Sequence, residues 1–119
     1  MNRQAHFVIG VVLFLAYVYV IGSFHGTSTE LVVFGIIAVA TGSLFPDILE
    51  PPTSAQHRGI FHSRRALKSV AVIFVLTAIP VILAPGIPHF LLVFSASSVF
   101  LGYSAHLLAD STTRAGLPR

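Results

Sequence analysis

An all-α, membrane-embedded four-helix bundle is the fold this sequence predicts, and three observations predict it. Hydrophobic residues make up 55% of the 119-residue chain and charged residues only 9%, too little polar surface to solvate a water-soluble globule. The mean hydropathy is +0.87, and uncharged apolar stretches run on for lengths that cross a bilayer. Turn-forming residues break those stretches at intervals that leave room for about four helices of roughly 20 residues each. Residues 1–119 are therefore expected to form a single membrane domain, with no separate soluble one.

The first span is read at residues 7–23, FVIGVVLFLAYVYVIGS, which carry no charge. Arg3 ahead of an apolar run also suits a signal peptide, but the run is long and no clear small-x-small cleavage site follows, so a retained helix is expected. Residues 24–29 supply a turn rich in Gly, Ser and Thr. The second span follows at 30–49, opened by Glu30 with Thr27, Ser28 or Thr29 as candidate caps. Pro51 and Pro52 stop that helix and begin the longest polar connection, residues 50–65. The third span is expected at 66–83, bent near its far end by Pro80, and APGIP at 84–88 makes a tight turn. The fourth, at 90–110, carries small residues at Ser95, Ser98, Gly102, Ala105 and Ala109, three and four apart along one side. In lipid, such a stripe permits close helix approach and marks an inner face, and Ala38 and Gly42 make a weaker pair of the same kind on the second span.

All seven basic residues fall on one side of this topology. Arg3 precedes the first span, Arg58, Arg64, Arg65 and Lys68 lie at the second connection, and Arg114 and Arg119 follow the fourth span. The positive-inside rule then places both termini, and the long connection, in the cytoplasm of an inner or plasma membrane. The same count explains a pI near 10.0 without nucleic acid, which is not expected as a partner; lipids are, with anionic headgroups drawn to the basic side. A chain this small could form a homo-oligomer, but no residue pattern sets a copy number.

The chemistry-bearing residues gather on that same side. Four of six histidines (His6, His57, His62, His106) and three of four carboxylates (Asp47, Glu50, Asp110) lie at or next to the cytoplasmic ends of the spans. Cysteine is absent, so any metal there must be held by imidazole and carboxylate. His106 and Asp110, four apart on one helix, can both reach a single ion. Asp47 sits near a helix C-terminus, where the dipole disfavours negative charge and a nearby cation would remove the penalty. An imidazole or carboxylate at the cytoplasmic end of each of four helices is hard to obtain by accident. His25 and His89 lie in the two far-side turns, where interfacial placement explains them, and no catalytic role is assigned to either.

Gly42-Ser43-Leu44-Phe45-Pro46-Asp47, His57-Arg58-Gly59-Ile60-Phe61-His62-Ser63 and Gly102-Tyr103-Ser104-Ala105-His106-Leu107-Leu108-Ala109-Asp110-Ser111, with His6 before them and Gly116-Leu117-Pro118 after, occur in family order over nearly the whole chain. The pattern resembles the YdjM-like (LexA-regulated) inner-membrane metal-dependent hydrolases, a family with a distant likeness to zinc-dependent phospholipase C. The resemblance implies a hydrolase acting on ester bonds. It implies a principal metal shell of Asp47, His62, His106 and Asp110, with His6 reaching a second ion that Asp110 bridges and His57 as a further member. One departure stands out: many relatives continue Pro-Asp with Ile-Asp-His-Pro, whereas Pro46-Asp47 continues here with Ile48-Leu49-Glu50-Pro51. Glu50 is then a candidate replacement ligand or general base.

A divalent ion held this way, zinc foremost and one or two in number, would acidify water and polarise a phosphoryl or acyl oxygen. Arg58, whose planar fork matches two phosphate oxygens, is the candidate anion binder, with Arg64, Arg65 or Lys68 nearby. The substrate expected at that depth is a lipid with its headgroup ester at the cytoplasmic interface. The competing expectations are a non-catalytic, metal-stabilised membrane scaffold and a small transporter subunit. Against transport, ionisable residues are absent from the middle of every span.

Overall fold

The structure is a computed structural model and describes residues 3–51, 59–113 and 116–119. Among the described residues the chain is all-helical: α1 (Arg3–His25), α2 (Thr29–Leu49), a 3-10 turn (Ile60–His62), α3 (Arg64–Leu83) and α4 (Phe90–Ser111). All four α-helices are long and apolar enough to cross a membrane.

The helix limits differ from the apolar runs in ways that matter for the site. α1 starts at Arg3, ahead of the apolar stretch, and the extra turn places His6 on the helix itself. Ser28 caps α2, its hydroxyl accepting from the Leu31 amide at 3.2 Å. Ser63 does the same for α3, accepting from Ala66 at 3.1 Å, so that helix begins at Arg64 and takes in both arginines. Pro46 lies inside α2 but within its last turn, which closes when the Glu50 amide donates to the Pro46 carbonyl at 2.9 Å.

α4 is the principal packing partner of each of the other three helices. Half of its span is buried inside the bundle (50%) against 11% for α3, which is mostly turned outward. The core joins Phe14, Tyr17 and Ile21 of α1, Leu31 and Val39 of α2, Ala78 and Val81 of α3, and Phe94 and Leu101 of α4. Tyr17 and Ser97 share a 2.7 Å hydrogen bond within it, whereas the hydroxyl of the neighbouring buried Ser98 has no hydrogen-bond partner among the described residues. Outward-facing Val8, Val12, Leu15, Ile36, Ile37, Val72 and Leu76 are exposed, as a lipid-facing surface requires.

The tightest packing lies between α2 and α4. A Cβ at Gly102 would run into the Val39 carbonyl oxygen, and one at Gly42 into the Val99 carbonyl oxygen, so each helix presses its glycine against the backbone of the other. Backbone cannot rotate away as a side chain can. Gly102 lies one turn before His106 and Gly42 five residues before Asp47, so this contact sets how closely those two side chains approach. A second fixing point is the C-terminal tail. Leu117 is buried with Tyr103 and Leu107, and the Arg64 amide donates to the Pro118 carbonyl at 2.8 Å, tying the start of α3 to the end of the chain.

Candidate metal centre

The site is assembled outward from α4. His106 and Asp110 are one turn apart and face the same way, with Nε2 of His106 3.5 Å from Oδ2 of Asp110. From α1, the His6 ring stacks on His106 (centroids 4.4 Å apart, planes 11° from parallel) and its Nε2 lies 3.0 Å from Oδ1 of Asp110. From the end of α2, Oδ1 of Asp47 lies 3.5 Å from Nε2 of His106 and 3.3 Å from Nε2 of His62. His62 arrives from the 3-10 turn, its ring edge-on to His106 with centroids 5.5 Å apart.

Two groups of three potential ligand atoms result, His6, His106 and Asp110, and Asp47, His62 and His106, with all ligand atoms in each group within 4.8 Å of one another. His106 belongs to both. His62, His106 and Asp110 are buried, whereas the Asp47 side chain is 43% exposed and forms the open edge. A carboxylate oxygen can only accept, so each of these close imidazole–carboxylate approaches needs a proton on the nitrogen or a cation between the two atoms. The three contacts at 3.3–3.5 Å are longer than a charge-assisted hydrogen bond, at about 2.7–2.9 Å. The all-nitrogen-and-oxygen donor set suits a borderline divalent ion such as zinc.

Glu50 stands behind this cluster and outside both groups. Its Oε2 accepts from Nδ1 of His62 at 2.9 Å and from the His62 amide at 3.1 Å, and its Oε1 accepts from the Phe61 amide at 3.2 Å. Burial works to raise the Glu50 carboxyl, but the His62 side chain and the two backbone donors outweigh it and hold it below the ordinary carboxylate range. The clasp is thus present at neutral pH, and what it adds to stability is lost as pH falls through that lowered value. Tyr103 completes the support, its hydroxyl donating to the Phe61 carbonyl at 3.0 Å.

Of the residues singled out in the sequence, the structure brings together His6, Asp47, His62, His106 and Asp110, with Glu50 adjoining. His57 and Arg58 lie outside the described residues. Arg64, Arg65 and Lys68 are exposed on the first turns of α3, beside the buried His62. His25 and His89 take no part: His25 bonds the Val81 carbonyl at 2.9 Å, and His89 precedes α4 in a left-handed conformation (φ 56°) without a side-chain capping bond.

The sequence profile of a family described as YdjM inner membrane protein matches residues 1–119. The chain belongs to the YdjM inner membrane protein family. No curated protein and no solved structure matches it significantly. Membership and the four apolar helices together make it a multi-pass inner-membrane protein in contact with membrane lipid.

Several supports of the cluster in this YdjM family member carry little or no signal in the sequence. The Tyr103 bond to the Phe61 carbonyl spans 42 positions, so no local pattern marks it. The docking of Leu117 and Pro118 has no periodicity to reveal it. Glu50 stands out in sequence as a carboxylate at a helix C-terminus, an unfavourable place for negative charge, and that anomaly is the available clue to its partners.

Proposed function

We propose that this protein is a metal-dependent hydrolase of the inner membrane, acting on the headgroup ester of a lipid at the cytoplasmic interface, with phosphoesters the leading class. The observation that carries the reading is the meeting of His6, Asp47, His62, His106 and Asp110, drawn from three helices and a turn, at one end of the bundle. Ionisable side chains are costly to bury, as His62, His106 and Asp110 are here, and seldom gather in that way without a partner cation or a functional task.

His6, His62, His106, Asp47 and Asp110 are the residues that would hold the metal, and zinc fits their chemistry. The two ligand groups favour one ion over two. Both carboxylates face the same nitrogen of His106, and one imidazole nitrogen can serve only one metal. A bound divalent ion supplies Lewis acidity toward a phosphoryl or acyl oxygen and acidifies water.

The chain's own residues do the rest. Half-exposed Asp47 leaves one side of the cluster accessible, while buried His106 and Asp110 close the opposite side. Exposed Arg64, Arg65 and Lys68 on the first turns of α3, the helix that follows His62, supply positive charge suited to an anionic headgroup, and Arg58 is the further candidate to grip a phosphate. Cytoplasmic orientation rests on the seven basic residues that the topology gathers on this side.

The deciding experiment is elemental analysis of the purified full chain after exposure to zinc, beside a His106→Ala/Asp110→Ala double variant. Wild type should retain about one zinc per chain and the variant essentially none. Equal zinc in both sinks the metal reading. Zinc retention without hydrolysis of any phosphodiester, phosphomonoester or carboxylic ester lipid sinks catalysis and leaves a metal-tied scaffold.

A further inference from the structure

The most completely bonded side chain near the cluster is one that reaches no ligand group. Glu50 takes three hydrogen bonds, two from backbone amides and one from Nδ1 of His62, using most of the lone-pair directions a carboxylate offers. It is also the C-cap of α2, where the dipole opposes a negative charge, so the amides of Phe61 and His62 answer a local electrostatic need. A Cβ at Gly59 would strike Oε1 of Glu50, so a side chain there would have to displace the carboxylate. Gly59, Phe61 and His62 therefore close on this carboxylate from several directions.

Resting on the metal reading above, we propose that Glu50 is the positioning residue of the site: it fixes the tautomer and ring orientation of His62, leaving Nε2 free as the ligand atom. A carboxylate oxygen only accepts, so the nitrogen 2.9 Å from Glu50 must carry the proton. A neutral imidazole protonated at Nδ1 keeps its lone pair on Nε2, the atom that lies 3.3 Å from Asp47 and belongs with His106 in a ligand group. The same bond places charge behind the ring and raises its basicity as a ligand. Glu50 is thereby neither ligand nor general base, since its oxygens are already engaged. It converts an otherwise ordinary loop histidine into a directed one.

The test pairs a spectroscopic readout with a binding one in the full chain, purified in detergent. Histidine-selective nitrogen-15 NMR of the metal-free protein, at a pH well above the ordinary imidazole range, reports which His62 nitrogen holds the proton. His62→Gln assigns the signal. Zinc affinity is read by competition with a chromophoric chelator.

Wild type should show His62 protonated at Nδ1. Glu50→Gln should retain that pattern, because its amide oxygen still accepts, and lose zinc affinity only a few-fold. Glu50→Leu should lose the tautomer bias and weaken zinc by about 10- to 100-fold. The Gln variant preserves an acceptor for the turn and so keeps the test decisive if the Leu variant fails to fold. An unchanged tautomer and affinity in Glu50→Leu overturns the proposal. Equal zinc losses in the Gln and Leu variants, with the His62 tautomer unmoved, overturn it in favour of direct ligation. A tautomer that responds as expected in a wild-type protein that binds no zinc upholds the positioning contact and removes the metal reading instead.

Discussion

The two ends of the bundle make opposite use of the same side chain. At the far end His25 spends its ring on a structural fault: Pro85, four residues after Val81, has no amide hydrogen, so the Val81 carbonyl lacks its helical partner and His25 Nε2 donates to it at 2.9 Å. His89 is exposed beside the turn and makes no capping bond. At the other end His6 stacks on His106, His62 meets His106 edge-on, and the three face two carboxylates. Histidine at a helix end therefore says little by itself. What distinguishes the ends is whether helix packing aims the rings at each other.

The largest break in that contrast should come from Gly102→Leu. The substitution drives a side chain into the Val39 carbonyl, with the Ser43 amide only 2.9 Å from the new Cβ, so α2 and α4 must separate. Overpacking of this kind costs about 1–3 kcal/mol or more. Separation also takes Asp47 away from His106, so zinc retention should collapse. Gly42→Leu should act alike through Val99. Normal zinc stoichiometry with an unchanged melting temperature in either variant breaks the link between the glycine contact and the site.

Next in size is the difference between the two aspartates. Asp110 is buried and bonded to His6, so Asp110→Ala removes a ligand and strands an imidazole, costing about 1–3 kcal/mol of stability as well as zinc. Asp47 is 43% exposed and near the aqueous edge, so Asp47→Ala should weaken zinc by a comparable factor while leaving thermal unfolding of the metal-free protein nearly unchanged. Parallel zinc titrations and unfolding curves separate the two. Equal destabilisation contradicts the assignment of Asp47 to the open side.

Much of this contrast is legible in the amino-acid sequence. Charge-free runs announce the spans, because a bilayer leaves no other place for them. The stripe on α4 is readable because small residues three and four apart have one packing meaning in lipid, and Ser98, Gly102, Ala105 and Ala109 are indeed buried. His106 and Asp110 are readable because helical spacing is local. Beyond that, sequence fails for a physical reason. That Gly42 meets Val99 and Gly102 meets Val39 depends on the register of two helices about 60 positions apart, and nothing in one chain encodes register visibly. The role of Glu50 is hidden likewise, because hydrogen-bond geometry separates a ligand from a residue that holds a ligand in place.

Tyr103→Phe offers a smaller and more selective change. It deletes the donor to the Phe61 carbonyl without altering the packing against Leu107 and Leu117, so about 1 kcal/mol or less of stability should go. The turn carrying His62 loosens, and zinc affinity should fall a few-fold while the stoichiometry stays at one. A variant with wild-type affinity shows that Glu50 holds the turn alone.

The smallest effect belongs to the far end, and its smallness is what it tests. His25→Ala leaves the Val81 carbonyl without a partner, a loss in the range of membrane-protein hydrogen bonds, about 0.6 kcal/mol on average. The carbonyl lies in the last turn of α3, next to the APGIP turn, where interfacial water can replace the imidazole. His6→Ala, on the same helix, removes a ring stacked on His106 and bonded to Asp110, and should cut zinc affinity steeply. α1 joins the two positions through nearly its whole length, so these variants ask whether the ends communicate. Zinc titrations that differ sharply between them assign metal chemistry to one end alone. Matching losses mean instead that α1 transmits its far-end anchorage to the cluster, and then His25 belongs to the site it does not touch.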